Sequence, residues 1–285
     1  MKKTIFSIFL LFAPLAVFAT GYDADIIYID GIKWELLDRP VYADSTLKNS
    51  LKAALPKERT IKSSNWDGFT TFWSIQGEKL CLDSIQYELY DGATRKYWTE
   101  CVPTDTLLRV FRQYVDGERI VATWFSYDIR AAKGKMIYYR HSFFERNYEN
   151  ERIISIVQGR VREVKDYENY VKDGYSFDDS SRMQTSYPIP RNNAELRELF
   201  PLHLDQYPEL ADAKRILFSI RRARVDQEGR LVECEVRVLR PDDNPRLAAE
   251  MAEALKAIHP WRVFFINGEF RPYAVEGYTF PYVLE

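Results

Sequence analysis

Three places in this 285-residue sequence carry the same short signature, a pair of apolar residues followed by Asp-Gly or Asn-Gly. They are Tyr28-Ile29-Asp30-Gly31, Tyr114-Val115-Asp116-Gly117 and Phe265-Ile266-Asn267-Gly268. Glycine enters positive φ without cost and Asp or Asn tolerates it better than most residues, so each reads as a tight β-hairpin turn. Ser74-Ile75-Gln76-Gly77 and Ile156-Val157-Gln158-Gly159 are weaker versions of the same pattern. A chain with this punctuation is committed to antiparallel sheet. Aromatic residues make up 15% of it and Tyr is the commonest aromatic, which agrees, because such side chains fill a half-buried pleated surface. The turns recur at intervals near forty residues, but the segments between them share no other signature, so a hairpin meander is favoured over propeller blades.

Between these turns the strand-like stretches are Phe69 to Leu82, Leu107 to Trp124, Met136 to Phe144 and Ile153 to Val164. One helix interrupts them. Asp44 or Ser45 caps it, Leu47, Leu51 and Leu55 share a face, and Pro56 stops it. Residues 173–193 are polar, with Asp173-Gly174, Asp178-Asp179-Ser180-Ser181 and Pro188-Ile189-Pro190, and predict a break between domains. The expected organisation is a signal peptide at 1–19, an aromatic β-rich domain at 22–180, a linker at 181–193 and a second domain at 194–285.

The first residues read as a secretory signal. Lys2 and Lys3 form a positive start, Ile5 to Val17 is almost unbroken apolar sequence, and Val17-Phe18-Ala19 suits a signal peptidase. An uncleaved anchor is the alternative. Against it, the run is short for a span of about 20 residues and no basic flank follows. Cleavage after Ala19 takes the formal charge from −2 to −4, since the two charges lost are both lysines. A near-neutral chain lacks the basic face that nucleic-acid binding needs. No second long apolar run follows, so no stable membrane span remains after cleavage. The expected location is the periplasm.

The second domain has the more legible order. Ile216 to Val225 and Leu231 to Leu239 read as two strands joined at Asp226-Gln227-Glu228-Gly229, with Val232, Cys234, Val236 and Val238 on one face and Glu233, Glu235 and Arg237 on the other. Asn244-Pro245 opens a helix as N-cap and first residue. Its stripe is Leu247, Met251, Leu255 and Ile258, and His259-Pro260 ends it. Trp261 starts a strand, Asn267-Gly268 turns it, and a last strand runs from about Val275. A short helix is expected from Asn192, with Glu195 at capping-box spacing.

This order resembles the C-terminal domain of TonB over residues 194–285. The matching pieces are Tyr207-Pro208, Phe218-Ser219-Ile220 leading to Asp226…Gly229, the helix Leu247 to Ile258, Pro260-Trp261, Asn267-Gly268 and Phe280-Pro281-Tyr282. Asp30-Gly31…Trp34, Asn65-Trp66-Asp67-Gly68 and Trp73-Ser74-Ile75 also give the first region a likeness to exported Bacteroidetes proteins of unknown role. The expected fold class is α+β, a mostly antiparallel β domain followed by a small TonB-like domain. The resemblance implies a non-enzymatic role in the Gram-negative envelope: binding an extended segment of an outer-membrane transporter, or of another envelope protein, by strand addition. It allows two copies to pair through strands, and an energy-transducing role in transport if the first segment stays as an anchor. The candidate partner-binding residues are Tyr278, Phe280 and Tyr282 on the last strand, where Pro281 favours an edge. An exposed edge is also a liability that such a proline helps to block.

Catalytic and cofactor signatures do not accumulate. His141, His203 and His259 are the only histidines and none has a metal-ligand spacing. No P-loop, dinucleotide fingerprint or nucleophile elbow is present, so no cofactor, metal or catalytic residue is expected. Cys81, Cys101 and Cys234 read as buried apolar residues, although Cys81 and Cys101 could pair. Arg221, Arg222 and Arg224 face Glu233 and Glu235 and read as cross-strand ion pairs. Trp34, Trp66, Trp73, Trp98 and Trp124 are either packed core or a stacking platform for sugars or peptides. Expressed with its leader in a Gram-negative host, the chain should appear in the periplasm beginning at Thr20. Intact mass of the fractionated protein checks this; a mass retaining residues 1–19 would refute cleavage.

Overall fold

Asp44 accepts hydrogen bonds from the amides of Thr46 and Leu47 at 2.9 and 3.0 Å, and this cap starts α1 (Ser45–Ala54) where the sequence places it. The computed structural model describes residues 21–140, 142–177, 187–190, 193–271, 274–275 and 278–284. The expected signal peptide and most of the expected linker lie outside them. Around α1 the first part of the chain forms β1 (Asp25–Ile29), β2 (Ile32–Leu36), β3 (Phe69–Gln76) and β4 (Lys79–Asp91). It continues with β5 (Lys96–Cys101), α2 (Thr104–Val110), β6 (Val115–Asp116), β7 (Arg119–Val121), β8 (Asp128–Tyr139), β9 (Arg146–Val157) and β10 (Arg160–Glu168). The remainder comprises β11 (Tyr170–Lys172), β12 (Tyr175–Ser176), β13 (Tyr187–Pro188), α3 (Asn193–Leu199), β14 (Arg215–Val225) and β15 (Leu231–Arg240). Last come α4 (Pro245–Ala257), β16 (Val263–Ile266), β17 (Glu269–Arg271), β18 (Ala274–Val275) and β19 (Tyr278–Val283). The fold class is α+β, with mostly antiparallel sheets.

The first ten strands make one sheet in the order β10-β9-β8-β2-β1-β3-β4-β7-β6, with β5 added to β4. Its hairpins turn where the sequence signals them. Asp30-Gly31 and Gln158-Gly159 have positive φ at both positions, the geometry that matches strand twist, as does Asn267-Gly268 between β16 and β17 in a separate sheet. The sheet does not stay open. β10 returns to β4 at Arg160 opposite Lys79, and Leu80 donates to the Gly159 carbonyl at 2.9 Å. The curl encloses Ile27, Trp34, Leu36, Trp73, Leu80 and Ile154, with Leu47 and Leu51 of α1 and Phe111 after α2 among the same core residues. Burying each of those leucines is worth roughly 1.5–3 kcal/mol.

Two sequence expectations change here. The stretch Leu107 to Trp124 is not one strand: α2 occupies its start and the short β6–β7 hairpin follows. Leu107 and Phe111, four apart, bury together against α1, so a helical period won over β-propensity. The sequence pattern does not signal β5, which extends β4 as a hairpin arm. The split at residue 180 also shifts, because β11 pairs with β16 and Phe177 packs on Trp261. Tyr175 and Phe177 therefore pack with the second core, which holds Phe218, Ile220, Leu247, Met251, Leu255 and Trp261, while Val171 packs on the smaller cluster of Ile137, Phe264 and Ile266. Asn169 pins the crossing. Its side chain donates to the Tyr148 carbonyl at 2.8 Å and accepts from the Asn267 amide at 2.7 Å.

Gly159 closes the curl at φ +72°, and a Cβ there would sit 2.8 Å from the Ala122 carbonyl carbon. Gly159→Ala should therefore combine left-handed strain with a backbone clash and cost at least about 2 kcal/mol. Urea unfolding checks this, with Gly31→Ala as the comparison, where no atom lies within 4 Å of the added Cβ.

Candidate functional site

The last sheet has the order β15-β14-β18, with β19 also on β14, so its edges are β15 on one side and β18 with β19 on the other. Of the three candidate residues, Phe280 and Tyr282 are buried in the second core and Tyr278 is half-buried against Phe177. Tyr282 donates to the Phe200 carbonyl at 2.8 Å. Their side chains hold the domain together and leave only the strand's backbone for a partner. Leu284 donates to the Lys214 carbonyl, which fixes the ladder's phase. Residues 278, 280 and 282 then bond β14, while Thr279, Pro281 and Val283 face outwards. Pro281 has no N–H, so the middle donor of that edge is missing.

The opposite edge is better supplied. The same phase carried across β14, through its irregularity between Ile220 and Arg222, turns Cys234, Val236 and Val238 of β15 outwards. Each has its amide, and exposed Val232 and Leu239 lie near the two ends of the strand. Glu233 meets Arg222 and Arg224 at 3.3 Å, so the expected cross-strand pairing forms at Glu233, whose carboxyl is held below its usual range by those hydrogen bonds. Cys234 is half-buried, and burial pushes its thiol up to about 11. Cys81 is buried and unpaired; Cys101 is exposed and unpaired, contrary to the expectation that all three are buried.

The titratable groups sort into closed sets. Among the described residues no group of three or more His, Cys, Asp and Glu could hold a metal ion. His141 lies outside the described residues. His203 Nδ1 is 2.7 Å from Glu250, to which Tyr207 donates at 2.6 Å. His259 contacts the Glu228 carbonyl at 3.1 Å beyond the end of α4. On the outer face of the curled sheet, Tyr148 donates to Glu35 at 2.6 Å and Arg146 lies 3.5 Å from the same carboxylate. These three line a depression of about 460 Å³ with Ile26 and Met136. Burial, then the bond to Glu35, pushes the Tyr148 phenol up to about 12. A phenol so engaged orients its carboxylate and is a poor proton carrier near neutral pH.

Comparison with known protein families, with curated proteins and with solved structures finds no match for this chain. The site must therefore be read from its own chemistry. Of the five tryptophans considered as a platform, Trp34 and Trp73 are core, and Trp124 is half-buried against Phe111 and Tyr114. Trp66 and Trp98 are exposed.

Inside the curl, Asp25 is fully buried beneath Thr71, whose amide donates to it at 3.0 Å and whose hydroxyl also donates to it. Trp73 Nε1 donates to that hydroxyl at 2.6 Å. Burial raises the Asp25 pKa to about 6, against the pull of Arg39. The folded state thus holds this proton up to about pH 6 while the unfolded chain loses it near pH 4, so stability falls as pH rises between those values. Asp25→Asn should remove that fall and stabilise the protein above pH 6, by up to about 3 kcal/mol less the cost of one reversed hydrogen bond. Chemical unfolding at pH 4 and pH 7 checks the sign; a wild-type stability that rises across this window, with the rise kept in the variant, would be inconsistent with it.

Proposed function

We propose that this is an exported envelope protein that binds an extended segment of a partner by adding it as a strand to the outer edge of β15. The observation that carries the reading is the row of outward amides at Cys234, Val236 and Val238 on the last sheet. Backbone hydrogen bonds of this kind give affinity without demanding one side-chain sequence, and alternate pockets give selectivity. Val232 and Leu239, both exposed, offer apolar anchors near the strand's ends. The resemblance of residues 194–285 to a TonB C-terminal domain supports the same style of binding and an outer-membrane transporter as the partner class. The charged, apolar and small-residue order of positions 2–19 supports export. No helix among the described residues is long and apolar enough to cross a membrane.

The edge that serves is not the one nearest the chain's end. Pro281 blocks the middle of β19, whereas β15 runs for ten residues without proline. Val236→Pro removes an outward amide and no internal ladder bond. Because Val236 is partly buried against the second core, the substitution should lower the unfolding transition modestly while the domain stays folded, and it should abolish binding of extended peptides from outer-membrane transporters, read by fluorescence anisotropy. Arg237→Pro breaks the bond to Ser219 and should unfold the domain. Equal peptide binding by Val236→Pro and the native chain, or no peptide binding by either, would sink the reading.

A further inference from the structure

The hairpin of β4 and β5 projects from the curled sheet, and every residue of β5 is exposed. Its two faces differ. Cross-strand pairing puts Gln86 with Cys101, Glu88 with Thr99 and Tyr90 with Tyr97 on the outer face. Tyr90 and Tyr97 are 47% and 58% exposed, yet their rings meet at 4.6 Å. As a cross-strand pair the two rings steady the hairpin, yet about half of each stays open to solvent. Lys62, from the loop before β3, lies 5.5 Å over the Tyr97 ring and pairs with Glu88 at 2.7 Å.

That loop and the hairpin enclose a pocket of about 170 Å³, room for one ring-sized ligand. Its floor is built from Thr70, Phe72, Gln86 and Thr99, and its wall from Thr60 and Asn65. The lining is hydroxyls and amides over an aromatic base. Its charges are Asp23 and the mutually neutralised pair Lys62 and Glu88. Thr60 Oγ1 and Asn65 Oδ1 are enclosed and have no hydrogen-bond partner within the protein. Enclosed polar atoms are nearly always paired, so each lacks a group that a ligand could bring after a small outward shift of the loop.

We infer that this pocket and the tyrosine pair at its mouth form a binding site for a neutral carbohydrate chain. Neutral sugars present many hydroxyls that both donate and accept, which suits Gln86, Asn65 and the threonines. They also present C–H faces that stack on exposed rings, which suits Tyr97 and Tyr90. An anionic ligand would have to break the Lys62–Glu88 pair and would face the Asp23 carboxylate as well. One sugar unit occupies the pocket and the next lies across the tyrosines. This site stands on the first half of the chain and does not depend on the strand-addition reading.

The test uses the full-length protein against a glycan array, followed by titration with cello-, malto- and chitotetraose. Tyr97→Ala removes the stacking ring, and Thr99→Phe fills the pocket from an exposed strand position. Both substitutions are at exposed sites; Thr99→Phe should leave stability within about 0.5 kcal/mol, and Tyr97→Ala should cost about 1 kcal/mol or less through the lost ring pair. At least one neutral glycan should bind, and each variant should weaken that binding tenfold or more while remaining folded, with a cooperative unfolding transition. The proposal is overturned if no glycan binds, if binding survives both substitutions, or if only peptides or anionic ligands bind.

Discussion

The meeting of β10 with β4 is the constraint on which the first half of this molecule depends. Left open, a sheet of this length would expose two edges and could not enclose a dry interior. Closure at Arg160 opposite Lys79 brings Trp73, Leu36 and Ile154 into one core and leaves a mouth for α1 and the Phe111 segment to fill. Gly159 makes it feasible, because the turn must pass against the Ala122 backbone, where no side chain fits. Once the curl is closed, each strand has a fixed inner and outer face. That alternation sends Asp25 inwards and Glu35, Gln86 and Tyr97 outwards.

An enclosed carboxyl is costly unless its partners are also enclosed. The structure supplies them in a short chain, with Trp73 donating to Thr71 and Thr71 donating twice to Asp25. Nearby, Arg39 is held between Tyr22 and Tyr42 and donates to the carbonyls of Asp23 and Phe69. These groups tie β1 to β3 and to the loops at the mouth. The second half is joined less tightly. Asn169 bridges the two sheets, and Gly174 lets β11 and β12 pass against the Pro260 carbonyl. Ile137, Phe264 and Ile266 form the small apolar contact between the halves.

Much of this was legible in the sequence because the signals were local. The turns at Asp30-Gly31, Gln158-Gly159 and Asn267-Gly268 follow from positive φ, a property of two residues. The caps at Asp44 and Asn244 follow from a side chain reaching the next turn. The stripe Leu247, Met251 and Leu255 is fully buried, as its spacing demands. Where the reading failed, the deciding contact was distant. The residues of α2 favour both helix and strand, and only α1 across the core selects the helix. Residues 170–177 looked like the end of one domain because their partners lie some ninety residues further on.

The candidate sites show the same division. Sequence alone determined that the chain is built from antiparallel hairpins with capped helices between them. It also marked Pro281 as an edge residue, because proline lacks the donor that an inner strand must supply. Which faces and edges remain available was decided only by the tertiary structure. Tyr278, Phe280 and Tyr282 alternate as a surface stripe would, but the second core packs against that side and encloses Phe280 and Tyr282. Tyr90 and Tyr97 are no more distinctive in sequence than any other tyrosine here. They are exposed because the arm that carries them extends past the point where the sheet curls shut. Alternation fixes which residues share a face; what covers that face depends on elements distant in the chain.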